Sequence, residues 1–334
     1  MNSNALKKNE PLLTDAWQRF ADYDLNSKQQ QKSFSRLQYW ILLLGGTASF
    51  LALLHTQLVK VSSLPLCTLF ELILRWTVIM APISISILMT VSNVFSPGNK
   101  WIFLRRAAEE IKSEIYRYRT LSHIQFINSE SISDKTWEEK LRKKIDDIDS
   151  WVSETDVGKI VLKQYEGKLP PSMDKASQCD DGFSLLNAEQ YMEIRLGDQL
   201  NFYRDRSAKF SRKIKQCHWS IVIIGGIGTF LAAIGVALWV SFTTTLVGIF
   251  TTYLEYRQLE NNLMIYNQAS HSLVEIKGWW SDLSDDMKDN SLNIMKLVET
   301  TERVLQSELS RWIHNMKSAL QELKSQTGLK GGKK

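Results

Sequence analysis

The chain between Lys215 and Glu255 reads QCHWSIVIIGGIGTFLAAIGVALWVSFTTTLVGIFTTYL, without a single Asp, Glu, Lys or Arg. As one helix this stretch would extend for about 58 Å, roughly twice the hydrocarbon thickness of a bilayer. It therefore predicts a tight hairpin of two membrane spans, at about 217–235 and 238–254, with the turn near Gly235 to Trp239.

A second pair of apolar segments lies nearer the N-terminus. The uncharged stretches Leu37 to Val59 and Trp76 to Asn99 predict spans at about 37–58 and 76–97. The predicted fold class is therefore all-α: a polytopic membrane protein of two tandem transmembrane helical hairpins, with amphipathic cytoplasmic helices attached. The lipid bilayer is its first expected partner.

Basic residues cluster beside the spans. Short flanking segments rich in Lys and Arg favour the cytoplasmic side of a membrane. All of the clusters can lie on that side if both hairpins enter and leave there, so we predict a multi-pass plasma-membrane protein with both termini in the cytoplasm. The flanking residues are Lys28, Lys32 and Arg36; Lys100, Arg105 and Arg106; Arg206, Lys209, Arg212, Lys213 and Lys215; and Arg257.

The two hairpins resemble each other at a constant offset of 180 residues. Gly45-Gly46 matches Gly225-Gly226, and the tripeptide FLA at 50–52 matches the one at 230–232. Similarity at a fixed period indicates a duplication. The predicted domains are a first two-span unit at 1–166, a linker at 167–187, a second two-span unit at 188–324 and a disordered basic tail at 325–334.

Outside the spans, apolar residues recur at the spacing of one helix face. We predict amphipathic helices that pack with the other unit or with other subunits, in the manner of a coiled coil. The two stripes are Leu141, Ile145, Ile148 and Val152; and Val298, Leu305, Leu309, Trp312, Met316 and Leu320. The polar face assigned to the second helix carries Glu302, Arg303, Glu308, Arg311 and Lys317.

Three segments beside the spans resemble a known family. They are RLGDQLNFYRDRS (Arg195 to Ser207), YLEYRQLENNLMIYNQASHSLVEIKGWW (Tyr253 to Trp280) and WIFLRRAAEEIKSE (Trp101 to Glu114). They are similar to the SLATT family of prokaryotic two-transmembrane proteins, and in particular to members grouped as a domain of unknown function. We expect two tandem copies of that domain here.

The resemblance implies a membrane effector. Members of the family are proposed to form pores or to perturb the membrane when a partner senses a nucleotide signal or infection. A single four-span bundle has few polar groups to line a conduit, so we expect a homo-oligomer if the protein conducts. Because hydroxyl-bearing spans run directly into charged helices, we expect an effector or channel that is gated through its cytoplasmic helices by a soluble sensor or signalling partner. The alternative is a non-conducting scaffold or adaptor whose hairpins anchor helices that bind a soluble partner.

Small residues recur four apart in the first spans of both hairpins. Such pairs let helix backbones approach closely, and this favours packing within a hairpin or an oligomer over the alternative of a gating hinge. The pairs are Gly45 and Ser49, Gly225 and Thr229, and Gly228 and Ala232.

Polar residues in the second spans are the candidates for a pore. Hydroxyl groups there either bond back to the helix or a neighbouring helix, or line a conduit. Glu71 and Arg75, one helical turn apart, predict an ion pair at the outer interface or a charged ring at a pore mouth. The hydroxyl candidates are Ser86, Thr90, Thr244 and Thr251.

Several functional classes are not expected. No Walker loop, GxGxxG, HExxH or GxSxG motif occurs, so we predict no enzyme and no cofactor. The three cysteines are far apart, so no metal site or disulfide framework is predicted. The net charge of +5 is small and mixed along the chain, which argues against a nucleic-acid partner.

Overall fold

The computed structural model describes residues 3–58, 65–128, 137–171 and 180–326. The predicted outer loop at 59–64, the middle of the linker at 172–179 and most of the predicted tail lie outside these residues. Within them every regular element is a helix and no strand occurs, so the all-α prediction is confirmed.

The described α-helices range from four to 56 residues in length. In chain order they are α1 (Ser3–Leu58), α2 (Pro65–Phe95), α3 (Pro97–Asn128), α4 (Trp137–Ser153), α5 (Ala188–Tyr191), α6 (Asp198–Ala233), α7 (Ala237–Arg257), α8 (Leu259–Ser281), α9 (Asp285–Lys288) and α10 (Ser291–Gln326). A π-helical segment, Met192–Gly197, joins α5 to α6, and a 3₁₀-helix, Asp156–Lys159, lies after α4.

Three breaks separate the long apolar helices from the next helices along the chain. Gly235, with φ +77°, forms the turn between α6 and α7, where the sequence predicts the hairpin to reverse. Ser96 adopts φ 44° and precedes Pro97, whose ring disfavours a right-handed helical residue before it. Gln258 adopts φ 50° at the end of α7. Each second span therefore ends at a residue in the left-handed region.

The chain divides into two compact units, and each is discontinuous in sequence. The helical unit consists of residues 1–29, 99–209 and 261–315, and the membrane unit consists of residues 30–98, 210–260 and 316–334. Each unit draws on both of the tandem segments that the duplication predicts, and that tandem division stays a prediction.

The helical unit is built around apolar stripes. The predicted stripe on α4 is buried, and so is every member of the predicted stripe on α10, whose last two residues, Met316 and Leu320, belong to the membrane unit. Trp312 packs edge-on against Trp101, with ring centroids 5.2 Å apart. The predicted polar face of α10 is wrong at two positions, because Glu302 is 0% exposed and Glu308 is 5% exposed.

In the membrane unit, α7 packs against both α1 and α6. The rings of Phe50 on α1 and Phe242 on α7 have centroids 5.3 Å apart. On the other side, a Cβ added at Gly228 of α6 would lie 2.6 Å from Oγ1 of Thr243, so only glycine fits this contact without a shift. The outward-facing surface is rich in exposed apolar side chains, among them Trp76, Ile87, Val222 and Phe230.

Candidate functional site

Four helical stretches of the described chain contain a segment apolar and long enough to cross a membrane. They are Pro11–Gln57, Glu71–Ser122, Ala188–Ala233 and Ala237–Ser281. Large apolar side chains exposed over their surfaces would be unfavourable in water, at about 25 cal/mol for each Å². In a bilayer they meet hydrocarbon, and the protein is a multi-pass membrane protein.

The predicted pore hydroxyls lie on exposed faces of α2 and α7. Ser86, Thr90, Thr244 and Thr251 are all exposed. The hydroxyl of Thr90 donates to the carbonyl oxygen of Ser86 at 2.9 Å, and Thr244 and Thr251 donate to carbonyls of the preceding turn at 2.9 and 3.0 Å. Each threonine is therefore satisfied by its own helix and remains able to accept a hydrogen bond.

The predicted charged pair lies near the start of α2. Glu71 is half-buried and Arg75 is exposed. One helical turn separates them, which is the spacing on which the prediction rests. Their role, as an interfacial ion pair or as part of a pore mouth, stays a prediction.

Some of the predicted small residues form close helix contacts within the membrane unit, and so does Gly46, which is adjacent to Gly45. Ser49 contacts Thr245, with their hydroxyl oxygens 3.3 Å apart. Beside it, a Cβ on Gly46 would lie 2.8 Å from the side chain of Ile249. Gly228 of α6 lies similarly close to Thr243 of α7.

The other predicted small residues face outward in the single chain. A Cβ at Gly45 or Gly225 would have no neighbour within 4 Å, and Thr229 and Ala232 are exposed. Packing at these positions between copies of the chain stays a prediction.

The helical unit contains a buried ion pair that sequence reasoning missed. Arg195 donates from Nε and Nη2 to the two carboxylate oxygens of Glu302, both at 2.9 Å. The hydroxyl of Tyr191 donates to the same carboxylate at 3.0 Å. Burial alone would raise the pKa of Glu302, but the adjacent guanidinium of Arg195 outweighs it and holds this pKa below its usual value.

A second buried carboxyl lies further along α10. Tyr203 donates to Oε2 of Glu308 at 3.3 Å, and Oε1 has no hydrogen-bond partner among the described residues. Burial raises the pKa of Glu308 to about 7, with a further contribution from Glu109 and against the lowering effect of Arg105. The guanidinium of Arg105 itself lies 4.0 Å from the ring centroid of Trp312.

A third buried charge attaches the end of the linker to α3. Arg119, which is 0% exposed, donates to both carboxylate oxygens of Asp180, at 2.8 and 2.5 Å. It also donates to the carbonyl of Ser184 at 2.8 Å. The backbone N–H of Leu186 donates to the carbonyl of Arg119 at 3.0 Å. These bonds hold residues 180–186 along α3.

One sequence signal does point to Glu302. Val298, Glu302, Leu305 and Leu309 are spaced four, three and four residues apart, so the glutamate falls within the apolar stripe and not beside it. A charge at such a position requires a buried partner. The sequence offers no comparable signal for which arginine that partner is.

Two known families match parts of this helical architecture. A family model described as "SMODS and SLOG-associating 2TM effector domain 1" (SLATT_1) matches residues 191–312, and a model of a protein family of unknown function, DUF4231, matches residues 18–124. The chain therefore carries a SLATT domain, as the resemblance implied. The SLATT model detects one copy, so the expectation of two tandem copies is corrected. No curated protein matches the chain, and no solved structure matches it.

Proposed function

We propose that this membrane-associated effector forms a pore, or perturbs the bilayer, as a homo-oligomer in the plasma membrane. The observation that carries the proposal is the set of exposed hydroxyls on α2 and on α7, at Ser86, Thr90, Thr244 and Thr251. Each threonine hydroxyl keeps free acceptor lone pairs, which suit a water-lined surface better than hydrocarbon. The SLATT domain at 191–312 supports the same function.

An oligomer is part of the proposal because the hydroxyls lie on the outside of one copy. In one copy Ser86, Thr90, Thr244 and Thr251 are on exposed faces, so a conduit that they line requires further copies. Further copies, with these faces directed to a common axis, would form one. The outward-facing Gly45 and Gly225 provide surfaces on which helices of different copies can approach closely.

Control of the pore is assigned to the cytoplasmic helices. α3 and α8 come directly after the second spans, beyond Ser96 and Gln258, whose left-handed backbone marks where one helix ends and the next begins. We propose that both termini are cytoplasmic and that a soluble sensor or signalling partner acts on the cytoplasmic helices. No chemistry on a substrate is part of this function.

Single-channel recording tests conduction directly. Purified full-length protein reconstituted in a planar bilayer should give discrete conductance steps once the oligomer is present. A matched variant, Thr251→Val, keeps the shape of the side chain and removes its hydroxyl, so its unit conductance should fall. Silence at all voltages from a verified oligomer would contradict the proposal.

Cysteine accessibility tests which face meets water. After the three native cysteines are replaced, single cysteines at Thr244 and Thr251 should react with a membrane-impermeant thiol reagent. A cysteine at Val222, which is exposed on α6 but surrounded by aliphatic residues, serves as the matched lipid-facing control. Equal protection of all three positions would contradict a water-filled pathway.

A non-conducting scaffold is the second candidate, and one observation favours it. The hydroxyls of Thr90, Thr244 and Thr251 already donate to their own helices, which is how threonine is accommodated in lipid-facing or packed helices. In that case the accessibility experiment gives protection at each position, and the cytoplasmic helices bind a soluble partner without any conductance.

A further inference from the structure

A polar cavity of about 230 Å³ lies inside the helical unit. Three helical segments and the linker line it: α1, α3, and the π-helical segment that continues into α6. Its volume exceeds that of an engineered protein cavity of roughly 150 Å³ that binds benzene. The charged residues of its wall are Asp24, Lys28, Glu109, Lys112, Arg195 and Asp198.

These charges are separated by sign along the cavity. α3 and the segment leading into α6 run antiparallel, since Arg119 contacts Ser184 whereas Glu109 lies with Tyr203. Lys112 and Arg195 therefore share one end of the cavity, and Glu109 lies about 4.5 Å further along α3, one helical turn away, towards the other end.

The remaining charged pair in the wall neutralises itself. The ammonium group of Lys28 lies 2.7 Å from the carboxylate of Asp24 on the same helix. Arg195 is paired with Glu302 in the same way, so Lys112 and Glu109 of α3 determine the charge that a ligand meets. Asp198 lies about one turn beyond Arg195 in the same wall.

The positive end retains unused hydrogen-bond donors. Arg195 is buried, and its Nη1 has no hydrogen-bond partner among the described residues, although Nε and Nη2 are both bonded to Glu302. Lys112 is half-buried and forms no ion pair within the described chain. An ammonium group in such a wall is unfavourable without an acceptor, and a ligand carboxylate beside Lys112 would remove that cost.

The local backbone at this end is also unusual. Met192–Gly197 is a π-helix of six residues between α5 and α6, and it places Ile194 and Arg195 in the cavity wall. π-helical segments are rare and are frequently found at functional sites. This observation is independent of the charges and points to the same cavity.

We propose that this cavity binds a small zwitterion of the amino-acid class. Its carboxylate accepts a hydrogen bond from the ammonium of Lys112, and its ammonium group faces the carboxylate of Glu109. The charges of an α-amino acid are a few ångströms apart, comparable to the rise of one helical turn that separates Lys112 from Glu109.

The apolar part of the ligand meets aromatic rings. Phe20, Tyr116 and Phe202 line the same cavity, and Arg195 already lies over the ring of Tyr116, 4.7 Å from its centroid. An aromatic or large aliphatic side chain fits this wall better than glycine does. The binding site does not depend on whether the membrane unit conducts.

Isothermal titration calorimetry on the detergent-solubilised full-length protein tests the proposal. The probes are phenylalanine, 3-phenylpropanoate, 2-phenylethylamine and inorganic phosphate, which present both charges, the carboxylate alone, the ammonium alone and a bare anion. Phenylalanine should bind at least about tenfold more tightly than either analogue that lacks a charge. Equal binding of 3-phenylpropanoate or phosphate would identify an anion site and overturn the proposal, as would no binding of any probe.

Two variants separate the two ends of the site. Lys112→Met should weaken phenylalanine binding about tenfold and leave 2-phenylethylamine unaffected, and Glu109→Gln should weaken phenylalanine similarly and leave 3-phenylpropanoate unaffected. Lys143→Met, at an exposed position on α4, is the matched control and should change nothing. Equal loss of all probes in both cavity variants would mean that the fold, and not the charge, was altered, and it would overturn the assignment of the two ends.

Discussion

Replacing Glu308 with glutamine should change how the stability of the protein depends on pH. The side chain is 5% exposed, and one of its oxygens has no hydrogen-bond partner among the described residues. Arg105, Arg311, Glu109 and Tyr203 are the titratable groups that act on it. Burial is the largest effect, and it favours the protonated carboxyl group.

The size of the pH-dependent change in stability is set by the change in the pKa of Glu308 on folding. The pKa of Glu308 rises from 4.5, the ordinary value, to about 7 in the folded protein. A difference of roughly 2.5 pH units corresponds to about 3 kcal/mol in the free energy of unfolding. Because the folded state holds this proton more tightly than the unfolded state, the stabilisation is complete below about pH 4.5 and is lost as the pH rises through about 7.

Urea unfolding of the full-length protein in detergent, monitored by far-ultraviolet circular dichroism, measures this effect. The free energy of unfolding is determined for the wild type and for Glu308→Gln at several pH values between about 5 and 8. The wild type should lose stability relative to the variant by about 2–3 kcal/mol over that interval. Glu322→Gln, an exposed position on the same helix, should behave as the wild type does.

If the free energies of unfolding of the wild type and of Glu308→Gln differ by a constant amount across this pH interval, the reasoning is refuted. It would mean that water reaches the carboxyl group, or that Arg105 compensates fully for its burial. The result is decisive because glutamine has nearly the same shape as glutamate and can accept the hydrogen bond from Tyr203, so only the titration is removed.

Contacts within single units give two further predictions. Glu302→Gln should destabilise the protein by about 3–5 kcal/mol in urea unfolding, because the guanidinium of Arg195 loses its charged partner while buried; the double variant with Arg195→Met should recover most of that loss. Gly228→Ala should cost about 1–3 kcal/mol, because its new Cβ would lie 2.6 Å from Oγ1 of Thr243. Gly226→Ala, two residues earlier and without neighbours within 4 Å, is the control and should be neutral or stabilising. Equal effects of the two alanines would contradict the packing.

The helices and the apolar spans could be predicted because they depend on local pattern. Residues 216–254 carry no charge and are too long for one span, so the chain must reverse within them, and Gly235 provides the turn. The stripe from Leu141 to Val152 recurs at helical spacing and is buried. Burial of an apolar helix face depends on little beyond the periodicity of its own residues.

The candidate sites could be predicted only in part. The pore hydroxyls were found from composition, but whether their exposed faces meet water, lipid or another copy depends on assembly. Among the small residues, Gly228 packs against Thr243, whereas Gly45 has no neighbour and the adjacent Gly46 packs against Ile249. The rotation of a helix about its axis decides such contacts, and a sequence motif does not specify that rotation.

The sequence by itself determined that this protein is helical, that four of its segments suit a bilayer and that one hairpin turns at Gly235. Only the tertiary structure decided that Arg195 pairs with Glu302, that Glu308 is buried beside Tyr203, and that a polar cavity with charges of both signs lies between α1, α3 and the π-helical segment. The physical reason is the separation along the chain over which each interaction acts. Hydrophobic periodicity acts within one helix, whereas a buried charge is stabilised by a residue about a hundred positions away.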